Sequence, residues 1–565
     1  MVKGIEKFKD DPLFSVIVPV YDVPLDVFKR CLMSIADQDY ANLEVIIVPN
    51  GGDKDAEKMA REFAEGRSTW NVFPTEEKGA CNARNLGFKH SKGEIVSFTN
   101  SDYILKTGCI RMWVDALLAH PDCGFVYGAY EYATSNQEVY WSKPFDVYEL
   151  EVANYIDCGF PLWRKNVVEW DPEVKSLQDW DFWLRVVKQG VKGHYLGRHI
   201  SFIAAPPRPK GLSMDSSGNW IERVEFIKKK LGIPMRDICV TSIGAPFHGR
   251  QIAKMIGADY RDDTLHKPHK YKALYLIGWY MKPGESYNGH SGIVNAFPDS
   301  KVIVHFVGAD IYWLRKFSTE TIRNWAGAMK LATHHILCEN EAAQEELRGY
   351  GIEAEIVPIP PYTDLDVKPL PDEFSVALYL TDKSDFDKYL QKHTLSIVKA
   401  MPDVKFVGYG DADLGEFKAS NFAHRGNMTT EEWAKFVIER SAYLRIVKHD
   451  TRPMASDEFI MAGRSVITNI PNTCHDVVDT SGTYPFDKWD RFSPGFSPRR
   501  WPSTKKAIIK KIREVRAKQK FSDADFETVR LLRSDITKSL LNKDKYKAKI
   551  KELSSTAPVL EVLSV

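Results

Sequence analysis

From Phe14 the chain alternates short, continuous apolar runs with amphipathic stretches. FSVIVPV at 14–20 is followed by a helical pattern from about Leu25 to Ala36 and a second apolar run, LEVIIV, at 43–48. A helix near 53–65, an extended WNVF at 70–73, a helix near 80–90, a strand EIVSF at 94–98 and a helix near 108–119 continue the series. Strands that are apolar on both faces, separated by amphipathic helices, imply a mainly parallel sheet covered on two sides. Ligands of such sheets sit outside the carboxyl ends of the strands.

Gly232-Ile233-Pro234 interrupts this pattern. A new α/β series begins with ICVTSIGA (238–245), ALYLIGWY (273–280) and KVIVHFVGAD (301–310). A proline-rich passage, VPIPPY at 357–362, precedes a third: FSVALYL (374–380), a helix near 387–400, VKFVGYG (404–410), AYLRIVK (442–448) and SVITNI (465–470). The predicted division is residues 1–232, 236–365, 372–490 and a tail at 500–565. Between Lys505 and Lys551 the tail holds 16 Lys and Arg against 6 Asp and Glu. Its apolar residues, Ile508, Ile509, Ile512 and Val515, then Val529, Leu532, Ile536 and Leu540, fall at helical spacing. They predict a helical pair packed on the preceding domain with a solvated lysine face; the competing reading is contact with a membrane surface or a polyanion.

Composition narrows the function classes. In 565 residues, 77 Lys and Arg nearly balance 76 Asp and Glu, and 44% are apolar. Several packed cores are expected, disorder is excluded as the main state, and no overall field favours wrapping a nucleic acid. The eight cysteines are scattered without a CxxC pair, so reduced thiols are expected rather than a zinc site. No run of eighteen apolar residues or long leader is seen, which predicts a soluble, cytoplasmic protein.

Candidate chemistry gathers first where strands end. Pro19-Val20-Tyr21-Asp22 closes the first, Val48-Pro49-Asn50-Gly51-Gly52 the second, and Asn82-Ala83-Arg84-Asn85-Leu86-Gly87 leads through Gly93-Glu94 to Phe98-Thr99-Asn100-Ser101-Asp102. Strand-end turns place Tyr21, Asn50 and Asp102 on one rim. There a nucleotide could stack on the tyrosine, with its phosphates near Arg84 and a Mg²⁺ or Mn²⁺ on Asp102. Later, Gln178-Asp179-Trp180-Asp181 opens a helix. An Asp at a helix N-terminus is favoured in its ionised form, as a general base requires, although taken alone a capping, solvated Asp is the stronger reading.

Residues 14–185 resemble the family 2 inverting glycosyltransferases of GT-A fold through Pro19 and Tyr21, Gly51, Ala83-Arg84-Asn85 with Gly87, Gly93-Glu94, Asp102 and Asp179. The resemblance implies a Rossmann-like nucleotide-diphosphosugar domain in which Asp102 coordinates the metal and Asp179 takes the acceptor proton. The donor side would be Pro19, Tyr21, Asn50, Arg84, Asn100 and Asp102. The sequence departs from the family run at Pro49 and Asn50, at Asn100, at Tyr103 and at Gln178, each of which stands where the family carries an acid, and Lys210 stands near a frequent metal histidine. Fewer carboxylates imply either an altered donor with weak metal dependence or a fold kept without turnover.

A second constellation spans Lys448 to Thr468, where Asp450 and Glu458 are separated by a turn and followed by a helix ending at Gly463. Residues 238–490 resemble the family 4 retaining glycosyltransferases of GT-B fold, a pair of Rossmann-like lobes, with Asp450 and Glu458 at the family's glutamate pair. The resemblance implies that Glu458 holds a donor ribose, that Asp450 faces the sugar, that Lys383 or Lys388 clamps the diphosphate, and that this module needs no cofactor. The combined expectation is a fused, two-module α/β glycosyltransferase that adds one or two sugars from nucleotide-sugar donors to a glycan, glycoconjugate or other hydroxylated acceptor. The alternatives are one active module with a degenerate binding partner, a non-catalytic carbohydrate-binding or assembly scaffold made from two degenerate transferase folds, and glycosylation of hydroxylated DNA bases.

Overall fold

Every residue of FSVIVPV is buried in strand β1 (Phe14–Val20) of the computed structural model. The structure describes residues 11–134, 138–140, 142–204, 220–242, 246–261, 271–278, 300–314, 317–318, 320–322, 326–327, 329, 333–381, 391–415, 417–447, 454–468, 476–477, 501–520 and 524–555. They form two compact units, residues 1–235 and 236–565.

The first unit is built on one nine-stranded sheet, β3-β2-β1-β4-β8-β6-β9-β5, with β7 added beside β6. Its strands are β1, β2 (Leu43–Pro49), β3 (Trp70–Val72), β4 (Ile95–Phe98), β5 (Tyr103–Leu105), β6 (Phe125–Tyr132), β7 (Val139–Tyr140), β8 (Leu162–Trp163) and β9 (Gly193–Ala204). The helices are α1 (Leu25–Ala36), α2 (Lys54–Ala64), α3 (Ala80–His90), α4 (Cys109–Ala119), α5 (Val147–Val152), α6 (Gln178–Lys188) and α7 (Trp220–Leu231). The four strands read from apolar runs pair in parallel. The other half of the sheet is mixed, because β8 enters antiparallel to both β4 and β6. Gly87 lets α3 lie directly on β1: a Cβ there would collide with Ile17. Gly93 donates its amide to Ser15 Oγ and Glu44 Oε1, both at 2.8 Å. Two motif glycines thus seat α3 and β4 against β1. Strand order reverses between β1 and β4, which opens a crevice beyond Val20 and Phe98.

The second unit holds two six-stranded sheets, each parallel throughout. The first runs β11-β10-β12-β13-β14-β15, with β10 (Ile238–Ser242), β11 (Asp259–Tyr260), β12 (Ala273–Ile277), β13 (Lys301–Phe306), β14 (His335–Cys338) and β15 (Glu355–Ile356). The other runs β18-β17-β16-β19-β20-β21, with β16 (Ser375–Tyr379), β17 (Lys405–Tyr409), β18 (Phe422–His424), β19 (Ala442–Arg445), β20 (Ser465–Thr468) and β21 (Asp476–Val477). Helices α8 (Pro246–Ile256), α9 (Ala309–Leu314) and α10 (Glu341–Gly349) accompany the first sheet, and α11 (Gln391–Ala400), α12 (Thr430–Ile438) and α13 (Met454–Met461) the second. The order of the second sheet, third-second-first-fourth-fifth-sixth, is that of dinucleotide-binding folds, with its reversal between β16 and β19.

The tail differs from the expected pair. Three helices, α14 (Trp501–Lys520), α15 (Ala524–Leu540) and α16 (Lys543–Ser555), are built into the second unit. Ile508, Ile512 and Val515 join the core of the second sheet, and Tyr546, Ile550 and Leu553 that of the first. On α15 the expected inner stripe is outside: Leu532 is 57% exposed, Ile536 39% and Leu540 63%. Its inner face is polar. Arg530 Nη1 donates to the carbonyls of Lys368 and Gly463, both at 3.2 Å, and Ser534 Oγ to that of Met461 at 2.7 Å. The Met461 and Gly463 carbonyls lie at the end of α13, where helical partners are lacking, and Lys368 belongs to the segment before β16. No helix of the described residues is long and apolar enough to cross a membrane.

Candidate active site

Among the described residues, two that are not glycine adopt left-handed backbone conformations, Asp22 (φ 49°) and Leu177 (φ 59°). One follows the carboxyl end of β1, and the other sits directly before Gln178 and Asp179. Such conformations cost on the order of 1–3 kcal/mol and persist where surrounding structure imposes them. Tyr21, 39% exposed, packs on the turn at Gly51, where a Cβ would stand 2.7 Å from its Cε2, and Lys78 Nζ lies 4.5 Å from its ring centroid. Tyr21 keeps an accessible surface on the rim. Pro19 is buried within β1. Asn50, expected to meet the donor, is 1% exposed, with Nδ2 donating to the Val20 carbonyl (3.0 Å) and Oδ1 accepting the Gly79 amide (3.1 Å). It ties strand-end loops together because both halves of its amide are taken up by backbone groups.

Arg84, expected at the donor phosphates, is 5% exposed on α3. Its Nη1 donates to Gln178 Oε1 and its Nη2 to Asn100 Oδ1, each at 3.0 Å, and the guanidinium lies 4.4 Å over the Trp170 ring. It is an internal strut joining the end of β4 to the start of α6. The neighbouring Asn85 exchanges two 2.8 Å hydrogen bonds with the backbone of Trp170 and is structural. Asp181 is likewise structural, 1% exposed and paired with Arg185 through Nε at 2.9 Å.

Asp179 is different. It keeps part of its surface accessible although protein crowds it on most sides. Asn154 Nδ2 donates to its Oδ2 at 2.8 Å, and the Trp180 amide to its Oδ1 at 2.9 Å. Burial pushes its proton affinity up, against these hydrogen bonds and the Arg84 charge. A second carboxyl group, Asp157, was not read from the sequence. It accepts the Tyr103 hydroxyl and the Gly159 amide, both at 2.7 Å, and burial followed by the Asp179 charge pushes it up to about 6. Its signal was weak: a lone Asp in an irregular stretch, with no spacing to a motif.

Asp102 lies half-buried beyond β4. Among the described residues no three His, Cys, Asp or Glu side chains converge as a metal cage. Asn100, on the same turn, has its side-chain oxygen engaged by Arg84. The donor set fits a Mg²⁺ or Mn²⁺ ion held by one carboxylate with diphosphate and water oxygens completing the shell. An open charged depression along α2 and β3, lined by Lys54, Lys58, Arg61 and Glu62, lies away from these carboxylates.

In the second unit Glu458 is 6% exposed on α13. Its Oε2 accepts Trp433 Nε1 at 2.6 Å, its Oε1 the Thr363 amide at 3.4 Å, and burial pushes it up to about 7. At the ends of the neighbouring strands, Arg445 Nη1 donates to Tyr443 at 3.0 Å, as does the Tyr409 hydroxyl. Asp450, Lys383 and Lys388 lie outside the described residues. In the first lobe His305 is fully buried. Its Nδ1 is 2.5 Å from Tyr275 Oη, which is 2.6 Å from Tyr546 Oη. Its Nε2 lies 3.0 Å from Glu339 Oε1, without the alignment of a hydrogen bond. Asp310 accepts the amides of Val307, Gly308 and Ile311. The residues around HFVGAD are thus internal supports.

Comparison with known proteins bears on the first unit. Residues 15–170 match the model of Glycosyl transferase family 2. The chain is 28% identical over 159 residues to glycosyltransferase GlyG of Streptococcus pneumoniae, covering 27% of this chain and 52% of that protein. It is 31% identical over 214 residues to the putative glycosyltransferase EpsH of Bacillus subtilis, covering 35% and 60%. A solved mannosyltransferase of Pyrobaculum calidifontis, in complex with GDP-Man and Mn²⁺, aligns with 20% identity over 36% of this chain and 59% of that one, at a TM-score of 0.28. The chain thus spans about half the length of GlyG and three-fifths of EpsH. The segment that matches the family 2 model lies in the first unit, contains the strand-end rim and Arg84, and ends shortly before α6.

Proposed function

We propose that the family 2 domain is an inverting glycosyltransferase moving a sugar from a nucleotide-sugar donor to a hydroxylated acceptor, with Asp179 as general base. The observation that carries this reading is the placing of Asp179: at the start of α6, bonded to Asn154, and joined through Gln178, Arg84 and Asn100 to the crevice between β1 and β4. The donor nucleotide lies on Tyr21 at that crevice. Asp179 accepts the proton of the acceptor hydroxyl as its oxygen attacks the anomeric carbon, while the bond from that carbon to the diphosphate breaks on the opposite face. A divalent cation on Asp102, when bound, neutralises the charge of the departing diphosphate.

The second unit is read as a GT-B-like module, supported by its two parallel sheets. Its Glu458 would hold a donor ribose, with Asp450 on the sugar and Lys383 or Lys388 on the diphosphate. A ribose hydroxyl reaches Glu458 by replacing the long Thr363 contact. The neutral amides at Asn100 and Gln178 favour a second reading, in which the family 2 domain binds a glycan and the other unit performs the transfer. A panel of UDP- and GDP-sugars with mixed glycan acceptors, with and without Mn²⁺, tests both. Transfer that survives Asp179→Asn and is lost in Glu458→Ala supports the second reading, and no turnover with any donor removes both. The exposed leucines of α15, beside helices carrying an excess of lysine and arginine, support contact with an anionic membrane surface.

A further inference from the structure

The charge balance around Arg84 departs from the resembled family. Its guanidinium is received by Asn100 and Gln178, neutral amides where that family carries acids. A buried guanidinium requires negative charge nearby, and the carboxyl groups within its field are Asp157 and Asp179. Both are organised by the loop between α5 and β8, which supplies Asn154 to Asp179 and Cys158 to Asn100. Each Asp157 oxygen accepts one bond and retains further acceptor capacity. Tyr132 stands beside them, half-buried, its hydroxyl 3.2 Å from that of Tyr130, whose ring stacks on Tyr140 at 4.9 Å. The charges of Asp157 and Asp179 both act on the Tyr132 hydroxyl. The Tyr140 hydroxyl donates to the Asn154 carbonyl at 3.4 Å, which ties the tyrosines to the loop of Asn154 and Asp157, and Tyr132, Asn154, Asp157 and Asp179 are each half-buried.

We propose that Asp157, Asn154 and Tyr132, the last held from behind by the buried Tyr130, form the acceptor subsite of the family 2 domain, and that its ligand is an uncharged pyranose. A pyranose offers an apolar face of C–H groups to Tyr132 and a rim of hydroxyl donors to Asp157 and Asn154, leaving one hydroxyl at Asp179. An acceptor carrying phosphate at this place would meet two carboxyl groups and be repelled. The proposal rests on the transferase reading of Asp179 and assigns its acceptor class.

Binding of the full-length chain to an array of neutral pyranosides and polyol phosphates, read without donor, tests it. Asp157→Asn and Tyr132→Ala should each weaken pyranoside binding about tenfold or more, with UDP and GDP affinity by calorimetry retained and, in transfer, acceptor KM moved more than kcat. Equal pyranoside binding by wild type and both variants overturns the proposal, as does a preference for polyol phosphates or no pyranoside binding by the wild type. A joint fall of nucleotide affinity and melting temperature in both variants assigns these residues a structural role and also overturns it. Pyranoside binding by a wild type that hydrolyses no donor would instead overturn the transferase reading alone.

Discussion

Asn154 donates its side-chain amide to Asp179 at 2.8 Å, across 25 residues of chain. This bond favours the ionised carboxylate, whereas burial favours the protonated one, and burial dominates. A base so placed accepts a proton more readily than an exposed Asp. Asp179→Asn should lower transfer by the family 2 domain by roughly 10²–10⁴-fold, with the melting temperature unchanged. A twofold loss in initial rate would mean that another group takes the proton.

The same pair sets the acid limb of the rate. Because ionised Asp179 is the active form, kcat/KM should fall toward low pH, with a midpoint above the ordinary Asp value of 3.8. Asn154→Ala removes a bond to the charged form, so the midpoint moves to higher pH, and the plateau falls because the acceptor loses a contact. A pH series of kcat/KM for both proteins measures this, and superimposable limbs would contradict it.

A single carboxylate makes a weak cation site. Chelation by EDTA should weaken sugar-nucleotide binding, and added Mn²⁺ should restore it. In Asp102→Ala the Mn²⁺ response should vanish while Tyr21 still supports residual nucleotide affinity. Calorimetric titrations with UDP, with and without Mn²⁺, distinguish these outcomes. An undiminished Mn²⁺ effect in the variant would place the ion elsewhere.

Glu458 makes the stability of the second unit depend on pH. Its carboxyl group rises from 4.5 to about 7 through burial, so the protonated form is the one the fold accommodates. Its favourable contribution is complete below the unfolded value and is lost as pH rises toward 7, a change on the order of a few kcal/mol. Glu458→Gln should flatten the fall in melting temperature between pH 5 and 8. Calorimetric scans of the full chain would show it, and parallel pH profiles would remove the assignment.

The outer face of α15 gives a further test. Leu532→Ser with Leu540→Ser should reduce co-sedimentation with phosphatidylglycerol vesicles and leave the fold intact, since neither side chain lies in the core. Absence of vesicle binding by the wild type would end the membrane reading.

Sequence patterning revealed the longer parallel strands, such as β1, β2, β12, β13 and β16, because each is apolar on both faces, and motif resemblance picked out Gly87 and Gly93, whose reason is the close approach to β1. It missed β5, only three residues long and antiparallel to β9. It also misread α15, where, among the described side chains, Arg530, Ser534 and Thr537 are buried. Periodicity reports where apolar groups fall, and here unpaired carbonyls of another helix drew the polar groups inward. At the candidate site, Asp102 and Asp179 were legible from motif order, whereas Asp157 sits in a loop where its bond to Gly159 is a local turn and its bond to Tyr103, 54 residues away, is made only by tertiary packing.

Tyr546 carries a consequence for biosynthesis. It caps the buried Tyr275 and His305 of a lobe whose own strands end some 190 residues earlier. At about 5–20 residues per second, that lobe spends roughly 10–40 s of translation with an incomplete interior. A ribosome stalled before Lys543 would hold a nascent chain with this seam open, a natural target for chaperone capture.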